Sequence, residues 1–305
     1  MSSRRLIARN AIALLVSDVA VRGLAAVGTV LIARSLGPQS YGTLGVAVAF
    51  SLLVGYLCDV GITHLTVQKA TLPGANLTIV LGSALKVRFL LAGVTTVCSV
   101  VWIAVSYSDP ERRNIMFLVA LPTIWGVTLQ GFGTSYFWIT EEMHYSAMLR
   151  ATAQMLTAIA LITAFLAKWP LHRVALIYGM SSLAGGVLTL VTVRGRLPSM
   201  AGWDRTILDG FASFTLCGVT GMMLPQLGIL ILERVADGRQ AGYFTAATRI
   251  PSIICAIPSV IAMAWYPRLF YEGSRDRERH FALSVDEFST NAILGFGLHW
   301  TAKAN

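Results

Sequence analysis

The chain has 305 residues, 55% of them hydrophobic and only 13% charged, with a mean hydropathy of +0.66 and a formal net charge of +9. A soluble globular domain carries roughly 25% charged residues. The deficit therefore excludes an ordinary soluble enzyme or nucleic-acid-binding domain and points to a polytopic, all-α membrane protein, whose excess Lys and Arg collect on the cytoplasmic side.

The N-terminus, "MSSRRLIARNAIALLVSDVA", carries the twinned Arg4 and Arg5. Its apolar stretch is interrupted by Asp18 and Arg22 and runs on to Ala33 with no small-residue cleavage site. This pattern predicts a retained first span behind a basic tail and not a cleaved signal. A helix needs about 20 mostly apolar residues to cross the hydrocarbon core. Eight stretches qualify: 11–33, 43–67, 85–107, 115–138, 147–167, 174–193, 211–232 and 244–266. Turn residues punctuate the connectors: Pro38, Pro73-Gly74, Asp109-Pro110, Glu141-Glu142, Pro170, Pro198 and Asp237-Gly238. The first connector, 33–45, "ARSLGPQSYGTLG", is expected to be a tight hairpin at a membrane face.

Charges inside the spans stand out, because each costs about 2.5–3.5 kcal/mol near the bilayer centre on insertion scales. Asp18 and Arg22 lie four apart, on one helical face; they either neutralise each other at a helix contact or line a hydrated path. Asp59 and His64 sit towards the end of the second span, where snorkelling to the interface is the simpler expectation. Lys86 and Arg88 open the third span. Arg249 opens the eighth, followed by the kinking Pro251 and Pro258. Gln130, Gln154 and Gln226 are expected to hydrogen-bond between helices. Ser181, Ser182, Gly185 and Gly186 form two small-xxx-small steps, a close-packing surface on the sixth span.

The four cysteines, at 58, 98, 217 and 255, each lie within an apolar run and read as small buried hydrophobes. No metal-ligand spacing occurs among them. Residues 131–136, "GFGTSY", lack the third glycine and the strand context of a dinucleotide site. With no Walker A loop, HExxH or nucleophile elbow, neither a catalytic residue, a metal nor a cofactor is expected. If the N-terminus is cytoplasmic, fourteen Lys and Arg up to residue 279 fall on the inner side and seven on the outer, which favours that orientation. An even number of spans then places both termini inside.

Residues 33–69 resemble the first hairpin of the bacterial polysaccharide (O-antigen type) flippases, a branch of the multidrug/oligosaccharidyl-lipid/polysaccharide exporter superfamily. The resemblance rests on Arg34, Leu36, Gly37, Pro38, Tyr41 and Gly42, then Asp59 and Gly61. Residues 238–270 are similar to the family's junction between spans seven and eight, through Gly242, Tyr243, Ala246 or Ala247, Arg249, Tyr266 and Pro267. The resemblance implies two six-helix lobes around a central cavity that alternates between membrane faces. It also implies a polyprenyl-pyrophosphate-linked oligosaccharide as substrate, moved across the bacterial inner membrane, with membrane lipid and polysaccharide assembly proteins as companions and no nucleic acid.

On that reading Arg22 and Arg249 are the cavity cations for the pyrophosphate. Lys86 and Arg88 attract the anionic headgroup at the cytoplasmic mouth, and Asp18 or Asp59 couples a proton or sodium ion. The first lobe is expected over 1–193, a cytoplasmic linker over 194–210, two helices of a second lobe over 211–270 and a polar cytoplasmic tail over 271–305. A second lobe cut short in this way is the pattern expected of a truncated or frameshifted frame. The alternatives are a multidrug exporter of the same superfamily, which would favour more intramembrane carboxylates, and a non-transporting membrane fragment or partner protein. A membrane acyltransferase would need paired His and acidic residues that are missing here.

Overall fold

In the computed structural model, the described residues are 2–59, 61–70, 76–140, 142–194, 202–203, 224–236 and 238–248, with the side chains of 2–22, 143, 224 and 225 excepted. Contacts divide the chain into two units, residues 1–23 with 247–305, and residues 24–246. The architecture that follows is that of the second unit. Every regular element among the described residues is a helix: α1 Ser2–Asp59, α2 Ile62–Ala70, α3 Leu77–Ser106, α4 Pro110–Ile139, α5 Met143–Leu166, α6 Leu171–Arg194, α7 Leu224–Val235 and α8 Gly238–Ala247. Five stretches among them are long and apolar enough to cross a membrane: Gly23–Ala70, α3, α4, His144–Leu166 within α5, and α6. The chain is an all-α, multi-pass membrane protein, as its composition indicates.

The third to sixth expected spans are found as α3 to α6. The first lies in α1 and the second runs from α1 into α2, and most of the seventh and eighth lies outside the described residues, as do the residues of the charged tail. The turn expected over 33–45 is narrower than a polar loop. Helical backbone continues on both sides, and Gly37 alone breaks it, at φ +75° and ψ 166°. That left-handed conformation suits a residue without Cβ, and Pro38 then opens the next helical segment, where its missing N–H is no loss. The segment before the break packs at Gly28 against Ala158 and Leu161 of α5, and the segment after it packs at Gly55 against Val127 of α4.

Side-chain caps set the helix starts. Asn76 Oδ1 accepts from the Thr78 N–H at 3.1 Å at the head of α3. Asp109 Oδ1 accepts from the Glu111 N–H at 3.1 Å at the head of α4, with Pro110 in the first turn. The α3 start lies eight residues before the expected one at 85. Its first turns carry Gly82, Ser83, Lys86 and Arg88, which dilute the apolar signal without breaking the helix.

α4 packs against α2, α3, α5 and α6, and 56% of its most apolar stretch is buried, against 22% for α3. Its contact with α6 is made backbone to backbone: a Cβ built at Gly126 would collide with the Ser182 carbonyl, and one at Gly186 would lie 2.6 Å from the Gly126 oxygen. Gln130 Nε2 donates to the same Ser182 carbonyl at 3.2 Å. The small-residue surface read from the sixth span is thus a real helix contact. α3 turns Leu90, Val94, Val97, Val101 and Val105 outward, an exposed apolar stripe that only lipid suits in a membrane protein. Cys58 is buried as expected, but Cys98 is exposed on this outer side of α3. An apolar run marks membrane depth and not burial in protein, and so the expectation fails for Cys98. Cys217 and Cys255 lie outside the described residues.

Candidate functional site

α1 ends at Asp59, Gly61 turns the chain at φ +79°, and α2 begins at Ile62. The first turn of a helix has unpaired N–H groups, and Asp59 reaches forward to one of them. Its Oδ1 accepts from the Thr63 N–H at 3.2 Å, and the Thr63 hydroxyl lies 2.9 Å from Oδ1 and 3.0 Å from Oδ2. From α3, Arg88 Nη2 meets Asp59 Oδ1 at 2.8 Å. The same nitrogen lies 2.6 Å from Thr63 Oγ1 and 3.1 Å from Ser135 Oγ on α4.

The Arg88 side chain is 0% exposed and that of Asp59 34%. A carboxylate open on one side therefore grips a guanidinium sealed within the bundle. Gly131 completes the arrangement, since a Cβ there would strike Arg88 Nη1. Arg88 Nε and Nη1 are buried with no acceptor among the described residues. A buried charge of this kind is held by its partner at a desolvation cost, so the site is charge-neutral as a pair and under-satisfied on the arginine side.

Two sequence expectations are corrected here. Asp59 does not snorkel away from the protein; its carboxylate turns to Arg88, because opposite charges attract strongly in low dielectric. Arg88 does not open onto the mouth of its span; its side chain is buried within the bundle. It lies eleven residues after Leu77, about 16 Å along the helix at 1.5 Å per residue, and points inward. Lys86 does face outward, and its Nζ donates to the Gly202 carbonyl at 2.8 Å. The side chains of Asp18 and Arg22, and all of Arg249, lie outside the described residues.

The opposite ends of these helices carry a second cluster. Tyr107, which closes α3, donates through its hydroxyl to Glu233 Oε2 of α7 at 2.7 Å. Burial, and after it the Glu233 carboxylate, pushes the Tyr107 hydroxyl well above the usual tyrosine range, so it stays protonated as the donor. The Arg234 guanidinium lies over the rings of Trp102 at 5.7 Å and Tyr107 at 5.4 Å, and Phe50 of α1 stacks on Trp102 at 4.6 Å. A polar cavity of about 400 Å³ opens beside them, lined by Ser106, Ser108, Asp109 and Arg112 together with Glu233 and Arg234.

Next to this cluster, α1 and α8 cross at their glycines. A Cβ on Gly42 would strike the Gly238 carbonyl, and one on Gly242 would strike the Pro38 carbonyl. The two motif stretches, far apart in sequence, are pressed together at one crossing.

The family profile described as polysaccharide biosynthesis protein matches residues 7–271. The chain belongs to the polysaccharide (O-antigen type) flippase family. Members of this family are transporters. No curated protein and no solved structure matches the chain significantly. Within this flippase-family chain the motif residues have separate structural duties. Gly37 and Gly61 take left-handed backbone, Gly42 and Gly242 allow the crossing, Tyr41 is buried in the core, and Leu36 packs half-buried against it. Arg34 and Tyr243 face outward.

Sequence reasoning missed Thr63, Ser135 and Gly131 around Arg88, and the whole Tyr107–Glu233–Arg234 cluster. "GFGTSY" held one usable signal: Gly131 and Ser135 stand four apart and so share a face of α4.

Proposed function

We propose that this chain moves a polyprenyl-pyrophosphate-linked oligosaccharide from the inner to the outer leaflet of the bacterial inner membrane by alternating access, with its N-terminus cytoplasmic. Family membership over residues 7–271 carries the reading. The two-to-one excess of Lys and Arg on one side supports the orientation. On this reading residues 1–193 are the first lobe, 194–210 the linker, 211–270 two helices of the second lobe and 271–305 a cytoplasmic tail. Arg22, Arg249, Lys86 and Arg88 are the cations offered to the pyrophosphate, with Lys86 at the surface and Arg88 buried. Polysaccharide assembly proteins are its natural neighbours.

The Asp59–Arg88 pair supports a specific role for both residues. An incoming diphosphate and the Asp59 carboxylate compete for one guanidinium. Neutralising Asp59 with a proton, or drawing it to a sodium ion, weakens its hold on Arg88, whose Nε and Nη1 have no acceptor among the described residues. Coupling then consists of exchanging one anion for another on a single cation. Asp18 is the second coupling candidate.

The test is complementation of a flippase-deficient strain, read as surface polysaccharide. The wild-type chain is expected to restore it. Asp59→Asn and Arg88→Gln are expected to lower it at least tenfold while the protein remains in the membrane. Restoration by neither the wild type nor any variant sinks the transport reading. Full activity in Asp59→Asn sinks its coupling role.

A further inference from the structure

The exposed apolar stripe of α3 continues through Val101 and Val105 into the last turn of the helix, and there the surface changes character. Trp102, 37% exposed, stands four residues before Ser106 and so on the same face of the helix. A Trp at the end of an apolar stripe marks the level where hydrocarbon gives way to headgroups. The polar cavity of about 400 Å³ opens at this level, where the end of α3, the head of α4 and the end of α7 meet.

Its lining is rich in donors without acceptors. Arg234 rests on the rings of Trp102 and Tyr107 and makes no hydrogen bond or ion pair among the described residues. Arg112 Nε lies 3.7 Å from Asp109 Oδ2, too far for a hydrogen bond. The Ser106 and Ser108 hydroxyls also have no partner among the described residues. Both carboxylates of the lining are already in use, since Glu233 Oε2 accepts from Tyr107 and Asp109 Oδ1 from the Glu111 N–H. Two guanidiniums and two carboxylates cancel in formal charge, but most of the unused hydrogen-bonding capacity is donor. A ligand that fits must bring acceptors, and the planar fork of arginine matches phosphate oxygens in pairs.

We propose that this cavity holds the headgroup of an anionic phospholipid of the phosphatidylglycerol class, its phosphate taken by Arg112 and Arg234 and an acyl chain lying along the α3 stripe. A zwitterionic lipid brings its own cation to its phosphate and gains less from the two arginines. The remaining carboxylate oxygens suit the hydroxyls of a glycerol headgroup. Depth selects a lipid over free phosphate, because the stripe of valines beside the cavity offers a place to an acyl chain and nothing to an inorganic ion. The inference goes beyond transport and needs only that the chain spans a membrane. In the proposed orientation the lipid belongs to the outer leaflet.

The test places the full chain in phosphatidylcholine vesicles doped with phosphatidylglycerol that carries a photoactivatable group on one acyl chain, and maps the cross-links by mass spectrometry. Cross-links are expected on residues 94–109. Excess unlabelled phosphatidylglycerol should lower them several-fold, whereas phosphatidylethanolamine or inorganic phosphate should leave them unchanged. Arg112→Gln/Arg234→Gln should lower them several-fold while cross-links on α5 and α6 persist, which shows that the variant is folded. Equal competition by phosphatidylethanolamine, or equal cross-linking of the double variant, overturns the site and leaves ordinary lipid around α3. Competition by inorganic phosphate overturns the lipid as occupant and leaves a free-anion site. If the double variant does not accumulate, the wild type decides. Raising salt from about 0.05 to about 0.5 M screens the attraction and should lower the α3 cross-links several-fold; an unchanged yield overturns the proposal. No step reads transport, so failure of the flippase reading leaves the result untouched.

Discussion

Arg88 is held by three acceptors through one nitrogen and walled by Gly131 on another. Removing one partner of a buried pair typically costs 3–5 kcal/mol. Asp59 is about one-third exposed, so solvent screening lowers that figure. Asp59→Asn is expected to cost up to about 3 kcal/mol, read as a lower melting midpoint of the purified protein in detergent. Combined with Arg88→Met it should cost less than the two changes summed, because each deletes what the other needs. Gly131→Ala is expected to cost about 1–3 kcal/mol by overpacking, and less in the Arg88→Met background, measured in the same way. Little of this was legible in sequence. Asp59 and Arg88 were both conspicuous as charges in apolar stretches, but their pairing depends on the register of α1 against α3, which periodicity does not give. Thr63 and Ser135 were invisible because a hydroxyl in a membrane helix ordinarily bonds its own backbone, as Thr128 does to the Ile124 carbonyl.

The elements were far more legible than the site. Apolar length alone located α3 to α6, since each must span about 30 Å of hydrocarbon. What hydropathy could not place was the start of α3, where an inward-facing arginine and an outward-facing lysine lower the average although the helix continues. It likewise gave a loop where Gly37 and Pro38 make the break in one step. Helix packing makes its own prediction. Gly126→Val places a branched side chain against the Ser182 carbonyl and is expected to abolish accumulation of folded protein, read by size-exclusion of a fluorescent fusion. Gly93→Ala, whose Cβ meets nothing within 4 Å, is expected to be neutral or to stabilise by up to about 1 kcal/mol. Equal effects of the two changes would mean that α4 and α6 do not meet as described.

At the scale of the molecule, the exposed stripe on α3 separates a membrane bundle from a soluble one. Val97→Asp lies on that stripe. In water it would be harmless, whereas in lipid it should raise the insertion free energy of α3 by about 2.5–3.5 kcal/mol, measured by the fraction of the segment integrated in a glycosylation-reporter assay. The proposed orientation has its own check. An alkaline phosphatase fused after residue 108 should be active and one fused after residue 72 inactive; the reverse result would invert the bundle.

The Asp59–Arg88 pair also bears on how the protein is made. Asp59 leaves the ribosome before Arg88, so until the two meet α3 carries an unpaired guanidinium at a cost of about 2.5–3.5 kcal/mol in lipid. That cost favours docking of α3 onto the first-made hairpin, with an early acidic residue acting as the receptor for a later basic one.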